Sequence, residues 1–315
     1  MSGFLANFAP INTSIHEFIH PCYRLFLPSY KVMSDFRIAA IMRSGAFSPN
    51  HIGNDAAIFN AVVENLRKRG CKVTTFTEDQ FRETETIDAG CIINMCREER
   101  SLDRLQTLED EGRIVINSAY GIRNCERERM CRLLMAHSIP YPETMVVDTD
   151  EVVKNKLVKS GFSHCWIKRG DSYKMHKEDV SYARDPEEAQ DVLQEYFLRG
   201  IRRAVINKHA SGDLVKFYGI TGSPFFYWYY PFKHYPDAVP ERHQTDFDVE
   251  ALRGICAEAA NVLGIKLWGG DCMVAPDGSL TIIDFNDWPS YAACRSEAAV
   301  AIAKSIIADI KKSRI

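Results

Sequence analysis

Gly269-Gly-Asp271-Cys-Met-Val-Ala-Pro276-Asp277-Gly278-Ser279-Leu-Thr-Ile-Ile-Asp284-Phe-Asn286 is the stretch on which the reading of this chain turns. Asp277-Gly278 is a two-residue hairpin signal, because both central positions of the favoured turn need φ > 0. With that turn, Pro276 pairs with Ser279, and Asp271 falls directly opposite Asp284. Asn286, two residues further on, points to the same face as Asp284. Like charges set opposite each other destabilise a sheet. Two carboxylates and an amide oxygen converging in this way suit a hard cation such as Mg²⁺, with phosphate oxygens as its remaining ligands. A surface hairpin with solvated acids is the other reading of the segment.

Around the hairpin lies a chain of 315 residues with 46% hydrophobic content, enough for a core shared among two or three lobes. The net charge of −3 gives no basic field for nucleic acid, and no apolar run reaches membrane-spanning length. Ten cysteines without a CxxC pair read as buried thiols of a reducing compartment, so a cytoplasmic protein is expected. The start of the chain, residues 1–34, is rich in turn formers and reads as an extension that is disordered or loosely docked. Within it, His16-Glu17-Phe-Ile-His20 matches the zinc-protease pattern by chance: Pro21 follows at once and no helical stripe continues.

Regular patterning begins at Phe36. Phe36 to Met42, Val73 to Phe76, Cys91 to Met95 and Arg113 to Ile116 read as strands. A helix with Ile58, Val62 and Leu66 on one stripe follows the first, and a helix around Ser101 to Leu108 follows the third. Alternating strands and helices predict a parallel α/β domain over residues 35–118. In such sheets ligands gather beyond the carboxyl ends of the strands. Arg43 and Arg97 stand there, either solvated or holding an anionic substrate. No GxGxxG, GxxxxGK[ST] or GxSxG motif is present, so a dinucleotide fold, a P-loop and a serine nucleophile lack support.

Residues 119–315 read as a second, mixed domain. A helix is expected from Asn124 to His137 and strands at Thr144 to Val147, Cys165 to Lys168, Arg203 to Lys208, Asp213 to Ile220 and Phe225 to Phe232. Helices are expected at Glu151 to Lys159, Pro186 to Arg199 and Val249 to Leu263, with a closing helix through Ala298, Ile302, Ile306 and Ile310.

This order resembles the ATP-grasp superfamily from about Phe36 to the C-terminus. The features that carry the resemblance are a parallel domain, a strand ending in Lys168, the strand Val205-Ile206-Asn207-Lys208, the spacing Gly212-x-x-x-Lys216, and the Asp…Asp-x-Asn hairpin. The nearest likenesses are the ribosomal-protein glutamate ligases and the inositol polyphosphate kinases. The resemblance implies an α/β pre-ATP-grasp domain followed by a two-lobed ATP-grasp domain. It implies ATP phosphates on Arg127 and Lys168, adenine read by the backbone of Val205 to Lys208, and Lys216 at the γ-phosphate. Asp271, Asp284 and Asn286 would hold one or two Mg²⁺. His176 would lie by the transferred phosphate, and Arg295 by the acceptor. The loop 169–180 has only Gly170 where the family closes over phosphates with several glycines.

The family implies a carboxylate–amine ligase acting through an acyl phosphate on a small-molecule or peptide acceptor with anionic groups, as a monomer or homodimer. Arg127, His176, Lys216 and the pair Arg43 and Arg97 favour an inositol-phosphate type of kinase instead. A nucleotide-binding protein without catalysis is the third reading.

Overall fold

The computed structural model describes residues 36–47, 52–170, 177–231 and 245–313. The extension 1–34 with its zinc-like pattern, and residues 171–176 of the 169–180 loop, His176 among them, lie outside the described residues.

The first sheet is made of β1 (Arg37–Ile41), β2 (Lys72–Phe76), β3 (Cys91–Asn94) and β4 (Ile114–Ile116), in the order β2-β1-β3-β4 and wholly parallel. Its central strands are apolar on both faces, as a doubly covered parallel sheet requires. One face packs α2 (Glu78–Glu83), α3 (Glu99–Asp110) and α4 (Ala119–Asn124). The other packs α1 (Ile52–Lys68), whose Ile58, Val62 and Leu66 are fully buried. That same core takes in Ala298, Ile302, Ile306 and Ile310 of the C-terminal helix α9 (Arg295–Lys312). The last helix thus returns to the N-terminal sheet, which a boundary at residue 118 does not anticipate.

The second sheet orders β5 (Thr144–Asp148), β8 (Arg203–Lys208), β6 (Cys165–Arg169) and β7 (Val180–Ala183) as β5-β8-β6-β7, all antiparallel. Helices α6 (Lys154–Lys159) and α7 (Pro186–Leu198) cover one face through Leu157, Leu193 and Tyr196. Asp185 caps α7 by accepting from the backbone of Glu187 and Glu188, with Pro186 in the first turn.

The third sheet orders β10 (Phe226–Tyr229), β9 (Asp213–Ile220), β11 (Leu267–Val274) and β12 (Leu280–Asp287) as β10-β9-β11-β12, again antiparallel. Helices α5 (Arg127–Ala136) and α8 (Val249–Leu263) cover one face against Phe217, Trp268 and Phe285. Asn117 ties this sheet to the first. Its Nδ2 donates to the Leu267 carbonyl at 2.8 Å, and its Oδ1 accepts from Leu267 N at 2.7 Å.

The hairpin of β11 and β12 corrects its own sequence reading in one detail. The turn has three residues, Pro276 to Gly278. Gly278 N donates to the Ala275 carbonyl at 2.8 Å, and Ala275 N donates to the Ser279 carbonyl at 2.9 Å. Gly278 alone takes positive φ, at 81°. The extra residue shifts the lower register, pairing Val274 with Leu280 and Cys272 with Ile282. A bulge then leaves Ile283 without a partner on β11 and restores Asp271 opposite Asp284. Ile282 and Phe285 both face the α5/α8 core, which strict alternation forbids for residues three apart. Losing one ladder hydrogen bond costs about 1 kcal/mol. Keeping Phe285 buried while Asp284 turns outward is worth roughly 1.5–3 kcal/mol, so the bulge wins.

Candidate functional site

The face of the third sheet opposite α5 and α8, buried at one end where Ile220 and Leu267 join the core of α9, carries one row across all four strands: Tyr229, Lys216, Asp271 and Asp284. Lys216 Nζ donates to Asp271 Oδ1 at 2.6 Å. Asn286 lies two residues beyond Asp284 on the same face, and its Nδ2 is 3.4 Å from Asp284 Oδ2. The three oxygen-bearing residues of the hairpin therefore share a face, as the sequence predicts. Among the described residues there is no group of three or more His, Cys, Asp or Glu suited to a metal. Asp271, Asp284 and Asn286 offer two carboxylates and one amide on that face.

Two cations reach this row from outside the sheet. Arg127, first residue of α5, is buried and brings Nη1 within 3.8 Å of Asp284 Oδ1. Lys168, on β6 of the second sheet, donates from Nζ to the carbonyl of bulged Ile283 at 2.8 Å. The bulge thus supplies the acceptor that draws the two sheets together over the site.

The electrostatics follow from burial and neighbours. Burial, then the Arg127 guanidinium, pushes the Lys168 ammonium down to about 8, against the pull of Asp284 and Asp271. Burial would raise the Asp284 carboxyl, but Arg127 and Lys168 outweigh it and hold the group below the usual carboxylate range. Burial raises Asp271; Lys216 opposes the shift and Asp284 adds to it. Lys216 is raised, because Asp271 outweighs its own burial.

The face of the second sheet opposite α6 and α7 carries Thr144, Asn207, Trp166 and Tyr182 in one row, with Lys168 two residues from Trp166. Asn207 is 2% exposed; its Nδ2 donates to Thr144 Oγ1 at 2.7 Å. Its Oδ1 is buried without a hydrogen-bond partner. Trp166, partly exposed, stands next to it with its ring 5.0 Å from Tyr182, and its indole N–H donates to His209 Nδ1. An unsatisfied acceptor beside an open aromatic face fits a planar base with an amino group. Sequence reasoning passed over Trp166 and Tyr182; alternation outward from Lys168 was the signal that places Trp166 on this face.

Three expectations change. The backbone of Val205 to Asn207 is paired on both sides, with β5 and β6, so it does not read a base edge. The Val205 and Asn207 side chains face the site, whereas Ile206 joins the α6/α7 core and Lys208 Nζ pairs with Glu143 at 3.1 Å. Arg43 and Arg97 are held by buried carboxylates: Arg43 Nη1 by Asp55 at 2.9 Å and Arg97 Nη2 by Asp287 at 2.5 Å. Arg295 Nη2 donates to Asn54 Oδ1 at 2.8 Å, joining α9 to α1.

No family model matches this chain, and no curated protein does. Solved structures do. D-alanine–D-alanine ligase from Bacillus anthracis is 14% identical, covers 89% of this chain and 100% of its own, and has a TM-score of 0.64. The same enzyme complexed with ATP is 16% identical over 89% of this chain and 100% of its own, with a TM-score of 0.63. The ATP-grasp ligase PsnB with a minimal precursor is 16% identical over 87% of this chain and 99% of its own, with a TM-score of 0.59. At these identities the likeness establishes the fold. That fold is the ATP-grasp fold, as the motif order implied.

Proposed function

We propose that this chain is an Mg-ATP-dependent carboxylate–amine ligase. The observation that carries the reading is the row Lys216, Asp271 and Asp284 meeting Arg127 and Lys168 from the facing elements. The residues fit a nucleotide. Arg127 Nε is buried without a hydrogen-bond partner, as a donor kept for phosphate would be, and Asn207 Oδ1 waits for a donor at the base end. Asp271, Asp284 and Asn286 would hold Mg²⁺. When bound, the ion would neutralise phosphate charge in the transition state.

In this reading Arg127 and Lys168 bind the phosphates of ATP, and Lys216 faces the γ-phosphoryl group. An acceptor carboxylate oxygen attacks the γ-phosphorus while the bond to the β–γ bridging oxygen breaks, releasing ADP. An amine nitrogen then attacks the acyl carbon. The bond from that carbon to the phosphate oxygen breaks, phosphate leaves, and the amine proton passes to water. No protein nucleophile is needed, in keeping with the absence of its motifs. The kinase reading loses its phosphate-holding arginines, since Asp55 and Asp287 already hold Arg43 and Arg97.

The test is ADP release from Mg-ATP across a panel of acids, amines and polyols. Amide formed only when acid and amine are both present supports a ligase. ADP formed with an inositol phosphate alone, and no amine, overturns it.

Lys168→Ala should weaken ATP binding about tenfold to a hundredfold, the worth of a charge-assisted hydrogen bond of about 1.5–3 kcal/mol. Calorimetric affinities equal to the unmodified protein's would remove Lys168 from the site. The pH dependence has a definite sign. Without nucleotide Lys168 is protonated below about 8, so ATP affinity should be flat there. Above that pH, binding phosphate must also take up a proton, and affinity should fall by up to about tenfold per pH unit. Titrations in two buffers of different ionisation heat would show the uptake.

A further inference from the structure

The row beside the phosphate-facing one is aromatic. Two residues along each strand from Tyr229, Lys216, Asp271 and Asp284 stand Tyr227, Tyr218, Gly269 and Asn286. Tyr218 stacks on Tyr229 with ring centres 6.2 Å apart, and Tyr227 lies 6.0 Å from Tyr229. A side chain at Gly269 would strike the Tyr218 ring at 2.6 Å and Pro289 at 2.9 Å, so the glycine lets the ring lie on the strand. Tyr227 and Tyr229 are half-buried on the edge strand, next to Lys216. The arginines expected to meet an anionic acceptor are instead tied to Asp55 and Asp287. What adjoins the phosphate row on β9 and β10 is a cluster of rings, in which Tyr218 is buried against Tyr291 at 5.1 Å and Tyr227 and Tyr229 are the half-buried members.

Resting on the ligase reading, we propose that the acceptor is a carboxylic acid on an aromatic body, its ring lying against Tyr227 and Tyr229 and its carboxylate reaching Lys216. Ring pairs at centroid separations of 4.5–7 Å add affinity beyond area alone. Tyrosine gives such contact at little loss of side-chain freedom.

Hydroxylamine separates this proposal from the reading beneath it. Its nitrogen attacks the carbon of any acyl phosphate, phosphate leaves, a proton passes to water, and a hydroxamate remains. The full chain with Mg-ATP and hydroxylamine would be offered 3-phenylpropionate, butyrate or tricarballylate. The expected result is that 3-phenylpropionate is used with kcat/KM about tenfold or more above either other acid. Tyr227→Leu should raise its KM about tenfold and leave the KM for ATP unchanged, with Tyr227→Phe restoring it. Hydroxamate formed from butyrate or tricarballylate as readily as from 3-phenylpropionate overturns the aromatic acceptor and leaves the ligase standing. No hydroxamate from any acid overturns the ligase reading, and the acceptor proposal falls with it.

Discussion

Asp284→Asn should lower Mg-dependent ATP turnover by at least about a thousandfold while the protein stays folded. The carboxylate closes the row on the sheet, facing Arg127 at 3.8 Å and lying one residue beyond the bulge that Lys168 contacts. Its side chain is 26% exposed, an amide of equal size keeps its shape, and Asp271 remains as a countercharge for Lys168 and Lys216. The nucleotide provides the sharper measurement. Without Mg²⁺, Asp284→Asn removes a negative charge that repels ATP, so apparent affinity should hold or tighten. With Mg²⁺ it removes a ligand, so affinity should weaken. The unmodified protein should therefore bind ATP more tightly with Mg²⁺ than without it, and the variant should lose most of that gain. If Asp284 only balances Arg127 and Lys168, the variant would melt earlier and turnover would survive, and the metal assignment would be wrong.

How much of this was legible can be judged residue by residue. The opposition of Asp271 and Asp284 was read correctly, although the turn was not. Pro276 at its first position allows a turn of three residues, and the extra residue is cancelled by the bulge at Ile283. A bulge leaves no local mark, because it is set by what Ile282 and Phe285 must cover in the α5/α8 core. Lys168 was visible as a strand-end lysine, but its partner, the Ile283 carbonyl, depends on that bulge and was not. The helices α1 and α8 were plain from their apolar stripes. The helix expected over Asn124 to His137 is broken at Cys125 and Glu126, where α4 ends and α5 begins, which puts Arg127 at a helix start. Short elements held by tertiary packing, α2 and β7, gave no periodicity to read. Arg43 and Arg97 were placed correctly at strand ends, but arginine beyond a strand says nothing of the carboxylate a distant segment will bring.

That last case is settled by stability. Asp287→Ala should destabilise the fold by about 3–5 kcal/mol, because it strands a buried guanidinium. Arg97 and Asp287 side chains are 7% and 0% exposed, and they join the end of β3 to the last residue of β12. Asp287 also attracts Arg43, whose guanidinium is lowered first by burial and next by Arg97. One carboxylate therefore steadies two crowded cations. For a chain of this size the loss corresponds to a melting temperature roughly 5–8 °C lower. Arg97→Met combined with Asp287→Leu should recover much of it, because an apolar pair replaces a buried ionic one at little or no net loss. The cycle distinguishes two roles for Arg97. If it were an acceptor-binding residue, Asp287→Ala would leave the melting temperature in place and shift the acceptor KM. If it fastens β12 to the N-terminal sheet, the melt moves by the full amount. Turnover below the new transition should then fall only modestly, since Asp284 and Asn286 keep their own strand pairing to β11.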